Sequence, residues 1–167
     1  MLTTMIKNAL GRLRGFADKS SFMGPTLARL TVGVVFVGTG WGKLHSLPDV
    51  TSFFTDLGIP FPAFNARLTA GTEFFGGLLV LLGLCTRLAS LPLAFTMVIA
   101  ILTAKRANID GITSLLGFEE WSYLVFFLWI ALAGPGPLSL DALITRLRKR
   151  AAETLPKPLL RPRSQTP

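Results

Sequence analysis

The chain has 167 residues, half of them hydrophobic and only 16% charged, with a formal net charge of +8. A soluble domain carries about a quarter charged residues, so this composition excludes an ordinary water-soluble fold and points to a single integral membrane domain. One cysteine (Cys85) excludes an internal disulfide and a CxxC redox pair, and one histidine (His45) excludes a bis-histidine haem within one chain.

Residues 1–19 repeat apolar positions at three and four, with Lys7, Asn8, Arg12, Arg14 and Lys19 on the other side. That pattern predicts an amphipathic helix lying in the headgroup plane, and no unbroken apolar region follows that would make a signal peptide. The first spanning helix is predicted from Pro25 to Leu44. The loop after it contains no Lys or Arg. Within that loop PDVTSFFTDLG reads as a short interfacial helix, begun by Pro48, ended by Gly58, and greasy along Val50, Phe53, Phe54 and Leu57. The segment IPFPAF turns the chain back.

The second spanning helix is expected at 64–84 and the third at 87–106. Gly83, Thr86 and Arg87 form the tight turn between them, and Pro92 kinks the third. Lys105 and Arg106 cap its far end. The fourth, EEWSYLVFFLWIALAG, stops at the GPGP of residues 134–137. SLDALITRLRKRAAE then resumes as a basic amphipathic helix with Ser139 as N-cap and Asp141 in the first turn. The tail LPKPLLRPRSQTP is proline-rich and expected to be disordered.

The expected architecture is therefore all-α: a four-helix transmembrane bundle with amphipathic N- and C-terminal helices. It divides into a basic segment 1–24, a membrane domain 25–145, and a basic, partly disordered tail 146–167. Both tails carry clustered Lys and Arg, which places both termini in the cytoplasm of a multi-pass inner-membrane protein. The same clusters are read as flanks that contact lipid headgroups, not as a nucleic-acid surface. Lys105 and Arg106 run against the charge rule, outweighed by the tails.

Helical periodicity aims the polar residues. Glu73 shares a face with Ala66, Thr69, Ala70, Gly76 and Gly77, so it points into the bundle, while Phe75, Leu78, Leu79 and Leu82 suit lipid. On the first helix Arg29, Gly33, Phe36, Gly40 and Lys43 form a stripe. Its two cations are roughly 21 Å apart. Trp41 and His45 flank Lys43. Thr96, Ala100 and Thr103 give the third helix a small inward stripe. Glu73, Lys43, Trp41, His45 and Arg29 are the candidate polar pocket. For each, a plainer role stands beside the functional one: Lys43 as an interfacial anchor, Trp41 as an aromatic-belt residue, His45 as a loop residue. Lys43 is the cation nearest to Glu73 in topology but reaches only part of its depth, so a water or Trp41 is expected to bridge them. No metal-ligand cluster, phosphate loop or serine nucleophile motif is present, and no cofactor is encoded.

At these residues the chain resembles the DoxX family of small bacterial membrane proteins. The matching stretches are RLTVGVVFVGTGWGKL, LGIPFP, TEFFGGLLVLLGLCTR and AGPGPLSLD, in that order, within roughly residues 25–145. The positions that match the family pattern are Arg29, Lys43, Glu73, Arg87 and Asp141. GFEEWSY departs from it, replacing a glycine-rich segment with one acid and a proline. The resemblance implies a four-helix membrane bundle linked to membrane redox systems: the family name is shared with subunits of a thiosulfate:quinone oxidoreductase, and other members go with oxidative-stress complexes.

Two functions follow. One is an accessory or quinone-interacting subunit of a membrane redox or oxidative-stress system, with quinone as the cofactor, an apolar slot ending in polar groups, and Glu73 as proton relay. Whether such a subunit is itself catalytic stays open, since no autonomous catalytic motif is seen. The other is a non-catalytic scaffold or assembly factor docking a partner protein. Lipid is the expected partner in both, along with other redox subunits or a second copy of the chain. Solute transport fits less well, because four helices enclose a thin pore and no internal repeat is seen.

Overall fold

The computed structural model describes residues 22–154 together with Gly11 and Gly15. The expected N-terminal amphipathic helix and the proline-rich tail lie outside the described residues. The regular elements among them are all helices, with no strand: α1 Met23–His45, α2 Leu47–Asp56, α3 Pro62–Leu82, α4 Thr86–Thr103, α5 Ile112–Leu116, α6 Glu119–Ala133 and α7 Leu140–Thr154. A 3-10 turn at Arg106–Asn108 follows α4. The short α5 is an element the sequence pattern did not predict, and α4 ends before Lys105 and Arg106 instead of including them.

Proline and glycine set these boundaries. Pro25, Pro48 and Pro62 fall in the first turns of α1, α2 and α3, where a missing N–H removes no helical bond. Between α3 and α4, Gly83 has φ +72°, its N–H bonds to Val80 O, and Leu84 N–H bonds back to Leu79 O. This is a Schellman closure. Cys85 also holds a positive φ of +48°, a conformation unfavourable for a side chain with a Cβ. Gly134 and Gly136 take φ +86° and +77° in the connection from α6 to α7. Pro92 lies inside α4, which continues through it as one helix.

α1 packs along α3 and α4 along α6; α3 also meets α4, and α1 meets α6, so the two pairs close on each other. The contact between α1 and α3 is set by glycine. A Cβ placed on Gly33 would strike the Leu81 backbone, one on Gly77 the backbone of Phe36 and Val37, and one on Gly40 the backbone of Glu73 and Phe74. These three contacts fall in one antiparallel register. Small residues let the two backbones approach closely, as the inward stripes predicted. The apolar core is Val32, Phe36, Val80, Ala89, Leu93, Ala94, Met97, Phe127 and Ile130. Phe36 meets Tyr123 and Phe127 edge-on, with ring centroids 5.3 and 4.7 Å apart, joining α1 to α6.

Two facial assignments need correction. Leu79, expected toward lipid, packs against the core. The inward face of α4 is Thr86, Ala89, Ser90, Leu93, Ala94, Met97 and Ile101, with Thr96, Ala100 and Thr103 only half-buried at its margin. The hydroxyls of Thr96 and Thr103 donate to their own helix, at Leu93 O and Ile99 O, so they need no partner across the bundle.

Buried polar groups and an apolar exterior coexist. Arg29, Glu73, Thr86 and Ser90 are buried, whereas Leu27, Val34, Phe75, Leu88, Phe95 and Leu132 are exposed. Water as solvent would select the reverse; lipid tolerates this arrangement, because ionisable groups are then turned inward. α4 is the one described helix long and apolar enough by itself to cross a membrane. Arg29 and Lys43 interrupt α1, Arg67 and Glu73 interrupt α3, and α6 has 15 residues.

Candidate functional site

Lys43 and Glu73 meet directly. The Lys43 ammonium donates to Glu73 Oε1 at 2.5 Å, from a side chain 34% exposed to one 3% exposed. The expected bridge through a water or Trp41 is therefore wrong, and the register explains why. With Gly40 against Glu73 and Phe74, the backbone of Lys43 stands about two residues, or about 3 Å, from the level of Glu73. A lysine stem spans that distance easily. Helix ends set level would leave Glu73 too deep for Lys43 to reach. In fact α3 runs on for about two turns past the end of α1, and α2 packs against α3. Glu73 thus lies deep along its own helix yet near the end of the neighbouring one.

Glu73 Oε2 is buried and has no hydrogen-bond partner. An ionised carboxylate has room for about four hydrogen bonds, so one oxygen is occupied and the other is left bare. Its surroundings on α3 are the predicted small residues: Ala66, Ala70, Gly76 and Gly77 are buried and Thr69 is half-buried.

The remaining candidates separate from this pair. Trp41 is 55% exposed and lies on the rings of His45 and Phe74, with centroids 4.2 and 5.6 Å away. The exposed His45 has Nδ1 2.9 Å from Trp41 O, one turn back in the same helix. Both sit at the surface beside the pair, as interfacial aromatics do. Arg29 does not belong to the pocket. It is buried at the opposite end of α1, where its guanidinium donates to Pro135 O at 3.1 Å and Leu138 O at 2.8 Å. The five candidates form an ion pair, a surface aromatic pair and a distant arginine.

That opposite end is a second polar cluster, which periodicity could not assemble. Asp141 accepts from the N–H groups of Cys85 and Thr86 at 3.1 and 3.5 Å, and its own N–H donates to Gly83 O at 3.0 Å. The start of α7 is thereby fastened to the turn between α3 and α4. Ser139 caps α7 as predicted: its hydroxyl accepts from Ala142 N–H at 3.1 Å and donates to Gly136 O at 2.8 Å. The Arg87 guanidinium lies beside Gly134, close enough that a Cβ there would press on it. Thr86 was missed as a site residue; it is fully buried and its hydroxyl has no partner. Two grooves of about 480 and 390 Å³ open at this end, the first lined in part by Arg29 and Arg146, the second by Cys85, Thr86, Arg87 and Asp141.

The GFEEWSY departure has a local role. Lys105 lies 3.4 Å from Glu120 and sits over the Phe118 ring at 5.8 Å, so the cation that ran against the charge rule is partly neutralised by the acid next to it.

An inward ion pair, an apolar outer surface and a glycine-packed pair of helices define the class: a small helical membrane protein. The chain belongs to the DoxX family, whose model matches residues 24–106. It is 31% identical over 134 residues to CatD of Bacillus subtilis, covering 79% of this chain and 95% of CatD, a protein that carries a provisional oxidoreductase name. It is 31% identical over 125 residues to the inner membrane protein YqjF of Escherichia coli, covering 74% and 94% of the two chains. It is 38% identical over 138 residues to the uncharacterized membrane protein Rv3486 of Mycobacterium tuberculosis, covering 74% and 80%. No solved structure shows significant similarity to the chain.

Proposed function

We propose that this DoxX-family protein is a four-helix transmembrane bundle, formed by α1, α3, α4 and α6, that serves as a quinone-interacting accessory subunit of a membrane redox or oxidative-stress system. The observation that carries this reading is the bare Oε2 of Glu73. A buried carboxylate with one oxygen held by Lys43 and the other without a partner is suited to accept a hydrogen bond, or a proton, from the hydroxyl of a quinol headgroup. Lys43, a third exposed, is the solvent-side member of the pair, so a headgroup reaching Glu73 would meet its ammonium first. Trp41 and Phe74, side by side and tilted to each other, supply an apolar aromatic surface against which a ring could rest. The oxidoreductase name of CatD supports the same direction. A quinone, when bound, supplies two-electron carrier chemistry; the electrons then enter or leave through another subunit.

The start of α1, the α3–α4 turn and the start of α7 share one end, and the basic segments of the sequence adjoin α1 and α7 in the chain. That supports both termini lying on the cytoplasmic side.

The test is to purify the protein in mild detergent, extract it with organic solvent and quantify quinone per polypeptide, in the wild type and in Glu73→Gln. Quinone bound to the wild type and lost from a folded Glu73→Gln protein supports the assignment. Equal amounts in both remove Glu73 from it. No quinone in either turns the reading toward a non-catalytic scaffold.

A further inference from the structure

We infer that the larger groove at the basic end binds the headgroup of one anionic glycerophospholipid, between α7 and the ends of α1 and α3. Its lining combines two cations, Arg29 and Arg146, with apolar walls from Leu81, Leu82, Leu138 and Leu143. Leu82, Leu138 and Leu143 are exposed, so the apolar wall faces outward, where an acyl chain would lie.

Charge complementarity identifies the occupant. Arg29 is buried, and its hydrogen bonds go to two neutral carbonyls, of Pro135 and Leu138. Among the described residues it has no carboxylate within ion-pair distance. The neighbouring Asp141 instead accepts from the amides of Cys85 and Thr86. An inward cation without a counter-ion leaves a positive field in the groove. Arg146 is exposed on α7 at the groove's edge, has no carboxylate within ion-pair distance among the described residues, and is placed to contact a phosphate directly. The depth of the site follows from α7 itself. Leu140, Leu143, Ile144 and Leu147 form an exposed stripe at helical spacing, with Arg146 and Arg148 at its flanks and Lys149 on the far side. Such a helix rests with its apolar stripe in the headgroup boundary, which brings the groove to the level of lipid phosphates. This inference does not rest on the quinone reading.

Native mass spectrometry of the purified full chain in detergent tests it, with dioleoyl phosphatidylglycerol, dioleoyl phosphatidylcholine and inorganic phosphate as probes. The expected result is retention of one phosphatidylglycerol in preference to phosphatidylcholine, unaffected by inorganic phosphate. Arg146→Gln should weaken that binding about fivefold, the effect of one basic side chain near an anionic surface. Arg148→Gln, which removes the same charge from the same helix outside the groove, should leave it near the wild-type value. Both arginines are exposed, so neither change threatens the fold. Equal retention of the two lipids, equal weakening by the two substitutions, or displacement of phosphatidylglycerol by inorganic phosphate would each overturn the assignment.

Discussion

Lys43 reaches Glu73 across the α1–α3 interface, an ammonium near the end of one helix meeting a carboxylate in the middle of the other. The pair is asymmetric: the acid is buried and the lysine is a third exposed. Removing the lysine therefore harms more than removing the charge on both. Lys43→Met leaves a buried carboxylate alone and should destabilise by about 1–3 kcal/mol, below the cost for a fully enclosed pair because Lys43 is partly solvated. Adding Glu73→Gln to Lys43→Met should recover part of that loss. Thermal unfolding of the three variants in detergent measures it; additive losses would mean the two side chains are not coupled.

Glycines on α1 differ sharply in what they tolerate. Gly40→Ala places a methyl group against the backbone of Phe74 and should cost about 1–3 kcal/mol through forced separation of α1 and α3. Gly38→Ala, two residues earlier, meets nothing within 4 Å and should be neutral, or stabilising by about 1 kcal/mol through helix propensity. The same unfolding assay compares them, and equal effects would discard the proposed register.

At the other end, Asp141→Ala strips the acceptor from the amides of Cys85 and Thr86. A loss of about 1–3 kcal/mol is expected, since hydrogen bonds to a charged acceptor are removed from a turn that holds Cys85 at positive φ. Asp141→Asn keeps one acceptor oxygen and should lose less. Hydrogen exchange at 83–87 should rise in the alanine variant and much less in the asparagine variant.

The charge bias of the tails predicts orientation. In a Cys85→Ser background, a membrane-impermeant maleimide applied to intact cells should label Ser52→Cys, in the stretch without Lys or Arg, and spare Leu160→Cys in the basic tail. Labelling at 160 but not at 52 reverses the topology.

The sequence by itself determined where the long helices lie and which way the polar residues of α1 and α3 face, though it missed α5 and the inward face of α4. Pro25, Pro48, Pro62 and the GPGP segment mark boundaries through the missing N–H of proline and the positive φ open to glycine. The 3.6-residue period turned Glu73, Gly77, Arg29 and Gly40 inward, and all four are buried. Ser139 was recognisable as a cap because its hydroxyl satisfies an amide that a helix leaves open, and Asp141 as a first-turn acid because a carboxylate complements the helix dipole. Periodicity reports direction around an axis, however, and says nothing of the height of one helix against another. That height comes from Gly33, Gly40 and Gly77 each meeting a particular stretch of opposing backbone, and only the tertiary structure shows it. It decided that Lys43 pairs directly with Glu73, that Trp41 and His45 remain at the surface, and that Arg29 belongs to a separate cluster. It decided equally that the Asp141 carboxylate binds a turn more than fifty residues earlier in the chain, a contact that no local spacing encodes.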